Sequence, residues 1–440
     1  VEIKSPNPQG TDRDVDITLR LIKVICPSTQ QAYVLRVPPD IGSFEKALSY
    51  DSTLAMAYCY LAILKDAQLI KKARQFSANA GLVDKYYISI LEANINHDAV
   101  TSVRLLREFL NKYPDDKLAY FWLSQVETIR NNIFQTAVLL NRVIALDSLY
   151  KIAYINLIYT YISLDSLPAA LCIADKYEAI ATNEPNPYDC RGDIYVAMGE
   201  NEKALNSFKA AMKLRPDFNQ YGPLKKTMIL EICQGDDSKI DSCNKIISSK
   251  NPGQNYWLVP YLKIYQGDLH QAIDYYDSAL VFGDSLTYHH FNKARLFDDL
   301  SEPQRALAEI TPLMEMMNEL YPSERLYFRN LFVYFLARAG LYDSAYSQAE
   351  QLGRWCAERG YSARYYNAAL GTIELIKKDY AKALLSFDKA SAPDRDFNLF
   401  YLAGQAYLFG GQYEKSISLL ERITRECPLM NANGIWAIEA

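Results

Sequence analysis

Paired helical signatures that return about every 34 residues decide what this chain can fold into. They are clearest in EPNPYDCRGDIYVAMGENEKALNSFKAAMKLRPDF, residues 184–218. Tyr188, Arg191, Gly192 and Tyr195 share one face of a first helix, which breaks at Gly199. Ala204, Phe208 and Ala211 share one face of a second, which Pro216 ends. Apolar residues at i, i+3 and i+4 predict amphipathic helices, and glycine and proline mark their limits. Small residues at Gly192 and Ala204 let two backbones approach, while Tyr195 and Phe208 fill the seam. The stretch predicts an antiparallel helix pair.

The same offsets recur along the chain. Second-helix signatures include SFEKALSYDS (43–52), QAIDYYDSAL (271–280), KALLSFDKAS (382–391) and EKSISLLERI (414–423). First-helix signatures include LAYFWLSQV (118–126), IAYINLIYTYI (152–162), FNKARLF (291–297) and LFYLAGQAYLFGG (399–411). Gly199, Gly267, Gly340 and Gly411 fall in corresponding turns, and prolines or Asp-Ser close second helices at Asp51-Ser52, Pro114, Asp147-Ser148, Pro216 and Pro428.

These residues resemble the tetratricopeptide repeat family, in the manner of bacterial-type arrays. The likeness covers most of the chain; it is near-consensus at 185–218 and good at 397–430, and it drifts at 68–100 and 219–252. One such helix pair cannot bury its apolar face alone, so pairs stack into a one-dimensional core. The resemblance implies an all-α fold: a right-handed α-solenoid of about eleven helix hairpins over 41–440, with a concave wall built from first helices.

Neither end follows the repeat. VDITLRLIKVI (15–25) and QAYVLRV (31–37) alternate apolar and polar residues. Period two predicts a β-hairpin or extended arm over 1–40. It reads as a remnant of an upstream domain, an arm packed on the first repeat, or a strand lent to another molecule. The chain opens on Val1 and not Met, so it reads as processed or trimmed, with the compartment left open. At the other end, NANGIWAIEA (431–440) begins another first helix, with Trp436 and Ile438 as core-like residues.

Chemistry is sparse. Half the residues are apolar and 22% are charged, so the chain folds, and a net charge of −5 gives no basic nucleic-acid footprint. No run is long enough for a membrane span. The 8 cysteines contain no CxxC pair; Cys233 and Cys243 are the one pair to test for a bridge. The 4 histidines show no metal-ligand spacing, and no phosphate loop or nucleophile elbow occurs. Asp236-Asp237 and Asp298-Asp299 read as helix caps or solvated carboxylates. The expectation is a non-enzyme with no cofactor and no metal.

A partner would meet the inner wall. The resemblance points to the second, fifth, ninth and twelfth positions of each repeat, which here include Phe121, Tyr159, Trp257, Tyr261, Tyr288, Phe291, Arg295, Tyr327, Tyr334, Tyr365 and Tyr401. Aromatic rings bury area at low entropy cost and suit a peptide groove, whereas a frame shift of one residue moves each into the core. The resemblance also implies that recognition of chaperone-type C-terminal tails is absent, since aromatics and aliphatics occupy the clamp positions. Three functions follow: a non-catalytic scaffold for a partner peptide or protein; a structural protein joining head to tail into rings or filaments through Phe44, Trp436 and Ile438; or the sensor half of a larger bacterial regulator.

Overall fold

The computed structural model describes residues 23–25, 32–34, 41–233, 255–281, 286–315, 322–390 and 397–425. Two short strands, β1 (Lys23–Ile25) and β2 (Ala32–Val34), pair antiparallel with Lys23 opposite Val34. The remainder of the described chain is helix and turn, with 22 α-helices.

The helices alternate between two roles. First helices are α2 (Ala55–Leu64), α4 (Leu82–Ile95), α6 (Lys117–Ile129), α8 (Lys151–Ser163), α10 (Asn186–Met198), α12 (Phe218–Cys233), α13 (Asn255–Tyr265), α15 (Leu286–Asp299), α17 (Pro322–Arg338), α19 (Arg364–Ile376) and α21 (Phe397–Phe409). Second helices are α1 (Ile41–Tyr50), α3 (Ile70–Phe76), α5 (Ala99–Lys112), α7 (Ile133–Leu146), α9 (Leu167–Ile180), α11 (Asn201–Leu214), α14 (Leu269–Val281), α16 (Pro303–Glu315), α18 (Tyr342–Arg359), α20 (Tyr380–Ala390) and α22 (Tyr413–Arg425). The chain divides into two compact units, residues 1–130 with 142–150 and residues 131–141 with 151–440. In the first unit α2 packs on α1 and α4, and α5 on α4 and α6. In the second, successive helices pack together, and α10 also meets α8, α19 meets α17, and α21 meets α19. This neighbour-on-neighbour order is that of an α-solenoid.

The turn between first and second helix has one recurrent device. His97, Asn131, Asp165 and Gly199 all take positive φ and stand 34 residues apart (97, 131, 165, 199). Gly267, Ser301, Gly340, Lys378 and Gly411 take the same conformation in later turns. A left-handed residue at this point ends the helix and reverses the chain at once. Four of these nine positions are the glycines visible in the sequence.

Packing across each hairpin depends on a second recurrent position. Ser102, Thr136, Ala170, Ala204, Ala272, Ala306, Ala345, Ala383 and Ser416 are all buried near the start of a second helix. Only a small side chain fits where two helix backbones approach. A hydroxyl there finds an acceptor: Ser102 Oγ donates to Asn94 Oδ1 at 2.6 Å, and Ser416 Oγ to the Gly404 carbonyl at 2.8 Å. Opposite this row, Gly192 lies beneath the buried Phe208, and Gly371 beneath Phe387.

Tyrosine hydroxyls then stitch helix to helix. Tyr87 donates to Asp116 at 2.7 Å, Tyr334 to Asp298 at 2.6 Å and Tyr407 to Asp388 at 2.5 Å. A ring in the seam with its hydroxyl on a neighbour's carboxylate is one use for 34 tyrosines. Asp298, expected at a cap or in solvent, is instead buried, and it accepts from Arg338 Nε at 2.7 Å as well as from Tyr334. Asp236 and Asp237 lie outside the described residues, as do Cys243 and the side chain of Cys233. Among the described residues no helix is long and apolar enough to cross a membrane.

Candidate functional site

Three successive first helices of the second unit, α17, α19 and α21, line a cleft of about 80 Å³. Tyr327, Asn330, Leu331 and Tyr334 come from α17; Arg364, Tyr365, Ala368 and Thr372 from α19; Leu399 and Leu402 from α21. Most stand three or four residues from another on the same helix, so largely one face of each contributes. The wall combines rings, aliphatic groups, one amide and one guanidinium. Arg364 lies over the Tyr365 ring at 5.3 Å and donates from Nη1 to Asn131 Oδ1 at 3.1 Å. Burial, followed by the Asp298 charge, holds the Tyr334 hydroxyl well above the usual phenol range, so it stays a donor at every ordinary pH.

A second polar constellation lies on α8, α10 and α12. Tyr159 donates to Asp193 Oδ2 at 2.7 Å, and Lys226 Nζ lies 2.7 Å from Asp193 Oδ2 and 2.9 Å from Asp189 Oδ1. Burial opposes the charge on Lys226, but attraction from Asp193 and Asp189 outweighs it and raises the ammonium above its ordinary value. Burial raises the Asp189 carboxyl, and Lys226 pulls it back. The two carboxylates thus keep Lys226 charged despite its burial. Among the described residues no group of three or more His, Cys, Asp or Glu is placed to hold a metal ion.

Residues 191–218, from the middle of α10 past the end of α11, match the family model of the tetratricopeptide repeat. That match is to one tetratricopeptide repeat, a single helix pair of the array. Among solved structures, yeast Tom70 is 13% identical over 78% of this chain and 85% of its own, with a TM-score of 0.39. Human IFIT1, solved as a dimer with PPP-AAAA, is 13% identical over 87% of each chain, with a TM-score of 0.40. YrrB, described as a TPR protein with an unusual peptide-binding site, is 17% identical over 42% of this chain and all of its own, at 0.30. At such scores these likenesses carry no functional argument. Among curated proteins none matches by sequence.

The tetratricopeptide frame sorts the residues proposed from sequence into three groups. Tyr327, Tyr334 and Tyr365 meet in the cleft. Tyr159 is 40% exposed, with its hydroxyl tied to Asp193, and Phe121 is half-buried edge-on to Tyr150 at 5.5 Å. Phe291, Arg295 and Tyr401 are buried in the seams rather than on an open wall. Phe291 packs edge-on against Tyr327 and Phe328, the Arg295 guanidinium lies 5.6 Å from the Phe291 ring, and Tyr401 accepts from Gln405. The side chains of Trp257, Tyr261 and Tyr288 lie outside the described residues.

Phe44 is also a correction. It is 1% exposed and stacks on Tyr60 at 4.9 Å, so α1 and α2 consume it and it offers nothing to a second molecule. Trp436 and Ile438 lie outside the described residues. Asn330, Arg364, Thr372, Asp189, Asp193 and Lys226 escaped the sequence reading, which weighed aromatics and, apart from them, only Arg295. One signal was present: Asp193 stands 34 residues after Tyr159 (159, 193) and thus occupies the same repeat position.

Proposed function

We propose that this chain is a non-catalytic scaffold that holds an extended peptide or helix of a partner protein against the wall formed by α17, α19 and α21. The observation that carries this reading is the cleft shared by three consecutive first helices, in which Tyr327 and Tyr365 are half-buried and flank Arg364 and Asn330. Rigid rings supply contact area, while the amide and guanidinium meet a backbone or an acidic side chain. Capture of partners by the wild-type chain, by a Tyr327→Ala, Tyr365→Ala variant and by Tyr413→Ala tests it. Tyr413 is 62% exposed on α22 and serves as the outward control. Loss with the cleft variant alone supports the reading; equal capture by all three sinks it.

A second reading, head-to-tail self-association, is favoured by a cleft of about 370 Å³ where α20 meets the last described hairpin. Phe387, Phe400, Ala403, Tyr407 and Leu419 line it. Particle size that stays constant in light scattering as concentration rises would eliminate this reading.

A further inference from the structure

Two C-terminal helices of the second unit reach turns that precede them by more than 200 residues. At the end of α22, Arg425 Nη2 donates to Asp165 Oδ1 at 2.8 Å, a pair 260 positions apart. Arg422 Nε lies 3.8 Å from Asp165 Oδ2. The Arg425 carbonyl comes so close to Gly199 that a Cβ there would stand 3.0 Å from it. At the start of α19, Arg364 Nη1 donates to Asn131 Oδ1 at 3.1 Å, a pair 233 positions apart. Asn131, Asp165 and Gly199 are the left-handed residues of three successive turns. One row of turns therefore receives two hairpins from the far end of the same unit.

We propose that these contacts form a clasp, in which the turn row Asn131, Asp165 and Gly199 holds α19 and α22 and can release them. The left-handed conformation is what makes the row a receptor. It projects a polar side chain, or none, from the tip of each reversal towards the far helices. Its ionic part joins partly exposed groups, which salt weakens. Its polar part uses Arg364, which also lines the cleft, so a carboxylate entering the cleft competes with the Asn131 amide for the same guanidinium. Release and occupancy are then linked. The clasp goes beyond the scaffold reading, and its test needs no partner.

The test uses the full chain, with small-angle X-ray scattering and hydrogen exchange at low and high salt. Arg425→Glu sets like charges face to face at Asp165. At low salt its radius of gyration should exceed that of the wild type. Amides of α22 should exchange about fivefold faster, the equivalent of one exposed ion pair at the top of its range. Wild type should approach the variant's radius as salt rises. Adding Asp165→Lys to Arg425→Glu should restore the compact form, and Lys378 shows that lysine accepts the left-handed turn. Should Arg425→Glu also loosen α10 and α11, Asp165→Asn, which keeps a residue suited to that turn, decides by the same readouts. An unchanged radius and unchanged α22 exchange in the single variant, or no recovery in the reversed pair, overturns the clasp.

Discussion

Gly192→Ala is the most exacting test of how these hairpins close. A Cβ at Gly192 would stand 2.3 Å from one Phe208 ring carbon and 2.6 Å from the next. Ordinary carbon contacts lie at about 3.5–4.0 Å, so the two helices or the ring must yield by more than about 1 Å. Phe208 has no free direction: it is 0% exposed, and Lys226 Nζ lies 5.2 Å from its ring. Overpacking of this kind costs up to about 3 kcal/mol. Replacing a mid-helix glycine returns about 1 kcal/mol, leaving a net loss of about 2 kcal/mol. Long arrays depart from two-state unfolding, so the readout is local hydrogen exchange in α10 and α11. The expected acceleration is about thirtyfold, and adding Phe208→Leu should recover most of it. If Gly192→Ala slows exchange instead, helix propensity has won and the close-approach argument fails.

Other consequences follow from the same contacts. Gly267 has nothing within 4 Å of an added Cβ but sits at φ 79°, so Gly267→Ala should lose only about 1–2 kcal/mol, Gly267→Asn less, by thermal melting. Burial raises the Cys59, Cys190 and Cys356 thiols from 9.0 to about 12. A raised thiol stabilises the fold while protonated, fully below pH 9.0 and progressively less as pH climbs towards about 12. At pH 8 iodoacetamide should label exposed Cys172 and spare those three in peptide mapping; the reverse order would contradict their burial. Lys226→Met strands the Asp189 and Asp193 carboxylates and should cost about 3 kcal/mol, partly recovered by Asp189→Asn, as read from exchange in α10. Tyr334→Phe should cost about 1–2 kcal/mol in melting experiments by removing one donor from buried Asp298, which keeps Arg338.

The helix pairs were legible because their constraints are local and steric. Gly192, Ala204 and Phe208 announce a close approach whatever lies elsewhere, and the structure places them as that logic requires. The glycine turns at 199, 267, 340 and 411 were legible for the same reason. His97, Asn131, Asp165, Ser301 and Lys378 adopt the same left-handed backbone without advertising it, because there the two helices impose the turn on side chains that tolerate it. The inner wall was less legible. Phe291 and Tyr401 satisfy an aromatic pattern as well as Tyr327 does, and only packing against the next hairpin separates seam from wall. The charged partners Lys226 and Arg364 carry no periodic apolar signal; the first is set by the neighbouring repeat and the second by a turn 233 positions away.

The row of small buried residues at the start of the second helices has a genetic corollary. Because Ala170 and Ala204 meet their neighbours through like surfaces, excising the 34 positions that separate them (170, 204) would join matching edges and leave every remaining helix in phase. A loss that is not a whole repeat would rotate the downstream faces towards water. Such a molecule changes its contour in whole steps, as a chain of links does, and intermediate lengths are closed to it.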